Sequence, residues 1–295
     1  HELIPGCQNL SFYPPGSVVR DEHFIESWSN HVSVGSGSVA LNTFDFEKPR
    51  AGLETNISIS QKHDHADMEV YDYQHSYTKR EDGTRYAQLR MEQLHCATQS
   101  FQGISNCPYL YVGCLSNITK HPVYSNIGVY LLSKVHYYIS TGQYETGDKQ
   151  NVQMEVRFSC IPSQTQYRPP LYAPAPVIAG HQTAIVVGPK GEEIWTDQYG
   201  RVKLHFHWDR YSERNEKSSC WVRVSQLWAG GNWGSVFTPR MGQEVIVDFI
   251  EGNPDKPMVV GRVYNADNMP PYKLPENQNQ SGIKPRSTKG GSVET

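Results

Sequence analysis

The sequence predicts a mainly β protein built from two domains, and three observations carry that expectation. Aromatic residues make up 11% of the chain, with 18 Tyr, and such side chains pack well on pleated surfaces. The chain also holds 24 Gly and 19 Pro, residues that end strands and form turns. Between Thr183 and Tyr264, five strand-length runs follow one another, each bounded by turn residues. A length of 295 residues leaves room for two cores.

The first 168 residues mix short alternating runs with one helical stretch, and the opening 40, including Gly35-Ser36-Gly37-Ser38, are the least readable. From Gly83 to Thr98, Ala87, Met91 and Leu94 recur at helical spacing while Arg85, Arg90 and Glu92 sit off that stripe. Asp82 and Thr84 are the expected N-cap residues. Val129, Leu131, Ser133 and Val135 alternate, as do Val152, Met154, Val156 and Phe158, so each set is expected to form a strand with one buried face.

Four prolines between Pro169 and Pro176 exclude a central strand or helix interior, so residues 169–182 are expected to be a stiff connector. The five runs beyond it are Ala184 to Val187, Val202 to Trp208, Trp221 to Leu227, Glu244 to Ile250 and Met258 to Tyr264. In the second run Val202, Leu204, Phe206 and Trp208 are expected to face inward, with Arg201, Lys203, His205 and His207 outward. Five short antiparallel strands that must cover their own edges predict a closed barrel over 183–266, and the OB-fold is the commonest five-stranded solution. After it, Pro270, Pro271, Pro275 and a polar run lead to a Gly-, Ser- and Thr-rich end with too little apolar content to bury itself.

Charge excludes several function classes. The formal net charge is -3, so no global field draws the chain to nucleic acid or an anionic membrane. The longest apolar stretch, Ile127 to Ile139, is interrupted by Ser133, Lys134 and His136 and falls short of the roughly 20 residues of a bilayer-spanning helix. Six cysteines form no Cys-x-x-Cys pair, which removes the usual zinc and redox signatures. They are expected to be buried free thiols, the alternative being one local pair such as Cys107 and Cys114.

Several motifs in order give the chain a family resemblance. The stretches Asp197-Gln-Tyr-Gly-Arg-Val-Lys-Leu-His-Phe-His-Trp-Asp-Arg210, Ser219-Cys-Trp-Val-Arg-Val-Ser225, Trp228-Ala-Gly-Gly-Asn-Trp-Gly234, Pro239-Arg-Met-Gly-Gln-Glu-Val245 and Gly252-Asn-Pro-Asp-Lys-Pro257 resemble the VgrG spike proteins of bacterial type VI secretion. So do Asp45-Phe-Glu-Lys-Pro-Arg-Ala-Gly52, Tyr71-Asp-Tyr73, Arg85-Tyr-Ala-Gln-Leu-Arg90 and Lys120-His-Pro122, although the family more often has Gly before that His-Pro.

The resemblance implies a partial phage-hub-like β-barrel domain over 1–168, an OB-fold domain over 183–266, and a neck over 267–295 leading to a β-helix. It implies a homotrimeric, membrane-puncturing spike that docks on the Hcp tube, carries effectors and is tipped by a PAAR-repeat protein. Assembly would take place in the bacterial cytoplasm, before secretion into the medium or a target cell, with membranes met only by mechanical penetration. The chain starts at His1 and reaches the Ser287-Thr-Lys-Gly-Gly291 motif that precedes the β-helix in the family. A central fragment, lacking part of the base and the needle, is therefore expected.

Catalytic, metal and cofactor sites are not expected. The sequence has no Gly-x-Ser-x-Gly, His-Glu-x-x-His or Gly-x-x-x-x-Gly-Lys-Ser/Thr motif. His205 and His207, with Asp209 next and His181 near in sequence, lack a third and fourth ligand at telling spacing and are expected to be polar outer-face residues. His63-Asp64-His65 is expected to be a solvated loop. The alternative function is an OB-fold nucleic-acid-binding module, since such folds bind single strands through basic, aromatic-lined grooves. Over 183–266, however, ten cations balance ten anions. Trp195, Trp228 and Trp233 fall in turns and are the candidate subunit-interface residues; the competing reading is that they plug the barrel ends.

Overall fold

The computed structural model describes residues 2–3, 5, 8–17, 22–60, 63–73, 77–140 and 153–288. The protein is mainly β and divides into two compact units, His1–Leu171 and Tyr172–Thr295.

The first unit contains β1 (Asn9–Phe12), β2 (Phe24–Val32), β3 (Ser38–Asn42), β4 (Thr55–Ser58) and β5 (Glu69–Tyr73). The helix α1 (Arg80–Cys96) follows, then β6 (Gln99–Ser105), β7 (Leu115–Lys120), β8 (Gly128–Ser140) and β9 (Gln153–Pro162). Six strands close a barrel in the order β1-β2-β6-β9-β8-β7. The short β1 runs parallel to both of its neighbours and seals the barrel. Leu10, Ile25, Phe101, Ile118, Leu132, Val156 and Phe158 fill its interior. Trp28 lies 5.2 Å from both the Phe101 and Tyr130 rings, stacked on the first and edge-on to the second.

A three-stranded sheet, β4-β3-β5, packs with α1. Val39 and Leu41 meet Ala87 and Met91 from the helix, and the Tyr77 hydroxyl sits 3.1 Å from Leu41 O and 2.8 Å from Leu53 O. Gly83 is required beneath this ring, because a Cβ there would lie 2.6 Å from Tyr77 Cε2. The helix begins earlier than the sequence suggests: Lys79 is the N-cap residue and offers no side-chain cap. Asp82 falls instead in the first turn, where its charge complements the helix dipole. Thr84 bonds back to Arg80 O at 3.1 Å.

Strand β8 departs from simple alternation. Its register shifts between Leu132 and Lys134, and Tyr130, Leu131 and Leu132 are all buried. Tyr130 and Leu132 enter the barrel, whereas Leu131 packs with Cys96 and Ile161 on the other side. Val129 is instead partly exposed. Met154, Val156 and Phe158 of β9 face the barrel core, and Val152 lies outside the described residues.

The second unit contains β10 (Gln182–Val187), β11 (Lys203–Phe206), β12 (Arg223–Val224), β13 (Ala229–Gly230), β14 (Trp233–Gly234), β15 (Glu244–Phe249) and β16 (Pro257–Val263). Five of these form a curled sheet in the order β11-β10-β15-β16-β12. An isolated bridge between Val202 and Val222 joins its two outer strands, so the sheet closes on itself. One pairing, β12 with β16, is parallel, which corrects the all-antiparallel expectation. Ten buried side chains fill the interior, among them Val186, Val202, Leu204, Val245, Val247 and Val259. Each fully buried Val or Leu contributes about 1.5–3 kcal/mol before chain entropy is counted.

The connector is tied at both ends, each to its own unit. Gln93 Nε2 donates to Pro169 O at 2.8 Å, and the Arg168 guanidinium meets Glu92 at 2.7 Å. At the other end, Ile178 N donates to Gly252 O at 2.8 Å.

The cysteines differ from expectation at two positions. Cys107 is disulfide-bonded and Cys114 is free, so those two do not pair. Cys96, Cys114 and Cys160 are buried free thiols, whereas Cys220 is exposed.

Candidate interaction surface

Local sequence builds a small hairpin on the second unit. Strands β13 and β14 pair Ala229 with Gly234 and Gly230 with Trp233. Gly231 and Asn232 make the two-residue turn between them, with Asn232 at φ 66°, a conformation that Asn tolerates better than most residues. Gly230 has no Cβ because one would lie 2.2 Å from Trp233 Cε2. Gly234, at φ +136°, passes so close to the preceding arm that a Cβ would meet Trp228 O at 2.4 Å.

These glycines bring Trp228 and Trp233 together, with ring centroids 5.1 Å apart and planes at 78°. Edge-on packing of this kind is favoured by the ring quadrupoles. The arms are held by Ser235 N donating to Trp228 O at 2.9 Å and Phe237 N donating to Gln226 Oε1 at 3.0 Å. Both rings remain open to solvent, at 65% and 60% exposure, flanked by Leu227 at 91% and Val236 at 78%. A cluster of large exposed apolar groups on an ordered hairpin is the kind of surface that meets another protein.

Trp195 is placed differently. It is half-buried and lies 4.5 Å from the Trp221 ring, and a Cβ on Gly188 would touch its own Cβ at 3.2 Å. Lys203 Nζ stands 5.1 Å over Trp221 on the same cluster. Trp195 thus packs within its own unit, apart from the Trp228 and Trp233 pair.

The histidines are also separated. His205 is buried, with Nδ1 2.9 Å from Ser212 Oγ, which corrects its expected outer-face position. The cause is non-local: residues 207–222 fold back over β11, pinned where Leu204 N donates to Ser219 Oγ at 2.9 Å and Lys203 Nζ to Ser219 O at 2.6 Å. The strand ends at Phe206, so Trp208 is 67% exposed and does not enter the core. His207 is exposed and meets Thr183 Oγ1 at 3.1 Å, whereas His181 meets Asp248 at 3.3 Å. His63, Asp64 and His65 sit in a turn. Among the described residues, no group of three or more His, Cys, Asp or Glu is gathered as a metal would need.

Two carboxylates shape the ends of the barrel strands. At Asp197, burial works against ionisation, but hydrogen bonds from the Arg201 N–H and guanidinium and the Tyr199 N–H outweigh it and hold the carboxyl below its ordinary value. At Glu244, hydrogen bonds from Asn265 and Thr183 lower the carboxyl against a smaller cost of burial.

Comparison with known proteins agrees in both units. Residues 1–143 match the phage tail baseplate hub family and residues 182–264 match the type VI secretion system/phage-baseplate injector OB domain family. The chain is 45% identical over 293 residues to the type VI secretion system spike protein VgrG1b of Pseudomonas aeruginosa, covering 99% of this chain and 40% of that protein. It is 44% identical to VgrG1a of the same organism, covering 99% of this chain and 46% of that one. Among solved structures, a type VI secretion system component from E. coli aligns with a TM-score of 0.48 at 19% identity, covering 86% of this chain and 49% of that chain. The chain therefore spans less than half the length of these curated relatives. With hub-type and OB-type regions matched in order along one polypeptide, the chain belongs to the VgrG spike-protein family of type VI secretion.

Proposed function

We propose that this chain is a structural, non-enzymatic part of a trimeric spike in a contractile secretion machine. In this reading residues 1–168 form the hub-like base that docks on the Hcp tube, 169–182 the connector, 183–266 the OB barrel and 267–295 the neck. The assembled spike would puncture target membranes and carry effectors, with a PAAR-repeat protein at its tip. It would assemble in the cytoplasm and leave the cell when the machine fires.

The observation that carries the reading is the continuous likeness to spike proteins across both units. The Trp228 and Trp233 pair supports it physically, because a force-bearing rod needs subunits that bury surface against one another, and this apolar cluster is exposed in the single chain. We assign Trp228 and Trp233 to the subunit contact. The packing of Trp195 on Trp221 favours the barrel-plugging role for that residue.

A nucleic-acid-binding OB module is the second reading, and the barrel's cations speak against it. Arg201 is engaged by Asp197 at 2.6 Å, Arg240 by Glu193 at 2.7 Å and Lys203 by Ser219 O at 2.6 Å. A groove that tracks phosphates needs such groups free. Retention on immobilised single-stranded DNA at rising salt separates the two. The spike reading expects elution in the flow-through, and salt-sensitive retention would replace it with the nucleic-acid module.

A further inference from the structure

The segment after β16 leaves the curled sheet, touches the 240–243 turn and later comes back to it. At its beginning, Asn268 Nδ2 donates to Gly242 O at 3.1 Å, and Asn265 Nδ2 donates to Glu244 Oε2 at 3.0 Å. Residues 269–285 then make an excursion with its own local bonds, such as Asn277 N to Lys273 O and Gln280 N to Asn277 O, both 3.0 Å. The chain returns at Arg286 and Ser287, whose carbonyl oxygens both accept hydrogen bonds from the Arg240 guanidinium, the second at 3.3 Å.

Arg240 is itself prepared for this contact. Its Nη1 meets Glu193 Oε1 at 2.7 Å, and both side chains are mostly shielded, at 24% and 28% exposure. Its backbone N donates to Gln243 Oε1 at 3.0 Å, and Met241 N donates to Glu193 O at 3.0 Å, so the turn and its acidic partner are locked together. A guanidinium is suited to the task because its rigid fork of N–H donors can serve a carboxylate and successive carbonyls at once.

We propose that the 240–243 turn is an anchor for both ends of this excursion, with Arg240 and Glu193 as the positioning pair that fixes where the chain stands at Ser287. The consequence is mechanical. However residues 269–285 rearrange, whatever follows Thr288 starts from a defined point on the barrel. This anchoring of the chain is independent of the spike reading.

Limited trypsin digestion of the full 295-residue chain tests it, because the bond after Arg286 is one that trypsin cuts and its carbonyl is held by Arg240. The protease must draw that oxygen into its own oxyanion hole, so the clasp has to open before cleavage. Mass spectrometry should show cleavage after Arg286 about tenfold faster in Arg240→Ala than in the unaltered chain, as expected for loss of charge-assisted bonds. Amide-exchange protection of β15 should be unchanged. Arg240→Lys keeps the charge without the fork and should also be cut faster, and Glu193→Gln should show a smaller increase in the same direction. Equal cleavage rates in Arg240→Ala and the unaltered chain would overturn the proposal. Loss of β15 protection in all three variants would also overturn it, by making Arg240 a residue of the fold and not of the exit point.

Discussion

Val202 and Val222 exchange both of their backbone hydrogen bonds, at 2.9 and 2.8 Å, and so join the two outer strands of the curled sheet in the second unit. Each residue immediately precedes its strand, β11 or β12, and both side chains are fully buried. The closure removes the exposed edges that would otherwise template aggregation. Val222→Pro deletes one of the two donors and leaves the Val202 carbonyl unpaired, which should destabilise the unit by about 1–3 kcal/mol. Urea unfolding followed by tryptophan fluorescence checks this, and a change below about 1 kcal/mol would mean that the bridge contributes little.

Asp197 makes a pH-dependent contribution. Its carboxyl accepts from Arg201 Nε at 2.6 Å and organises the turn through the N–H groups of Tyr199 and Arg201. Because its folded pKa is depressed, the stabilisation is present above the unfolded value of about 3.9 and is lost as pH falls through the lower folded value. Asp197→Asn should therefore be less stable than the unaltered chain by about 1–2 kcal/mol near neutrality, the gap shrinking below about pH 4. Melting curves across that range measure it, and a gap that widens in acid would contradict the assignment.

In the first unit, Gly103 of β6 faces Phe158 of β9 in register, and a Cβ would stand 2.4 Å from Phe158 Cζ. Gly103→Ala should cost about 1–3 kcal/mol through overpacking. Amide exchange by β6 and β9 should accelerate while the second unit keeps its protection.

Gly234→Ala tests the hairpin. At φ +136°, with Trp228 O 2.4 Å from the added Cβ, the variant cannot keep the two arms together. The near-ultraviolet circular dichroism of the Trp228 and Trp233 pair should fall while the barrel's melting midpoint moves by only a few degrees. An unchanged aromatic signal would show that the ring geometry does not depend on the turn.

What was legible in the sequence follows the range of the forces involved. Period-two alternation located the five barrel runs because each strand buries one face, as Val245, Val247 and Phe249 do. The stripe of Ala87, Met91 and Leu94 found α1, but its start at Arg80 was missed because no side chain caps it. Long-range features left no local trace. The burial of His205 depends on a loop folding back through Ser212 and Ser219, and the parallel pairing of β12 rests on a strand of two residues, Arg223–Val224. The Arg240 anchor was invisible for the same reason, since its partners, Arg286 and Ser287, lie far along the chain. At the interaction surface, the tryptophans could be singled out by their turn positions. Tertiary packing, with no local trace in the sequence, separates the open pair, Trp228 and Trp233, from Trp195 packed on Trp221.

Sedimentation velocity over a concentration series, on the unaltered chain and on a Trp228→Ala, Trp233→Ala double variant, asks whether the exposed tryptophan pair holds copies of the chain together. The 33.5 kDa chain should associate into a species of three copies as concentration rises. That species should be lost in the double variant, whose monomer stability should change by no more than about 1 kcal/mol because both rings are exposed. An unaltered chain that stays monomeric at every concentration, or a double variant that still forms the three-copy species, would contradict the assignment of this pair to the subunit contact.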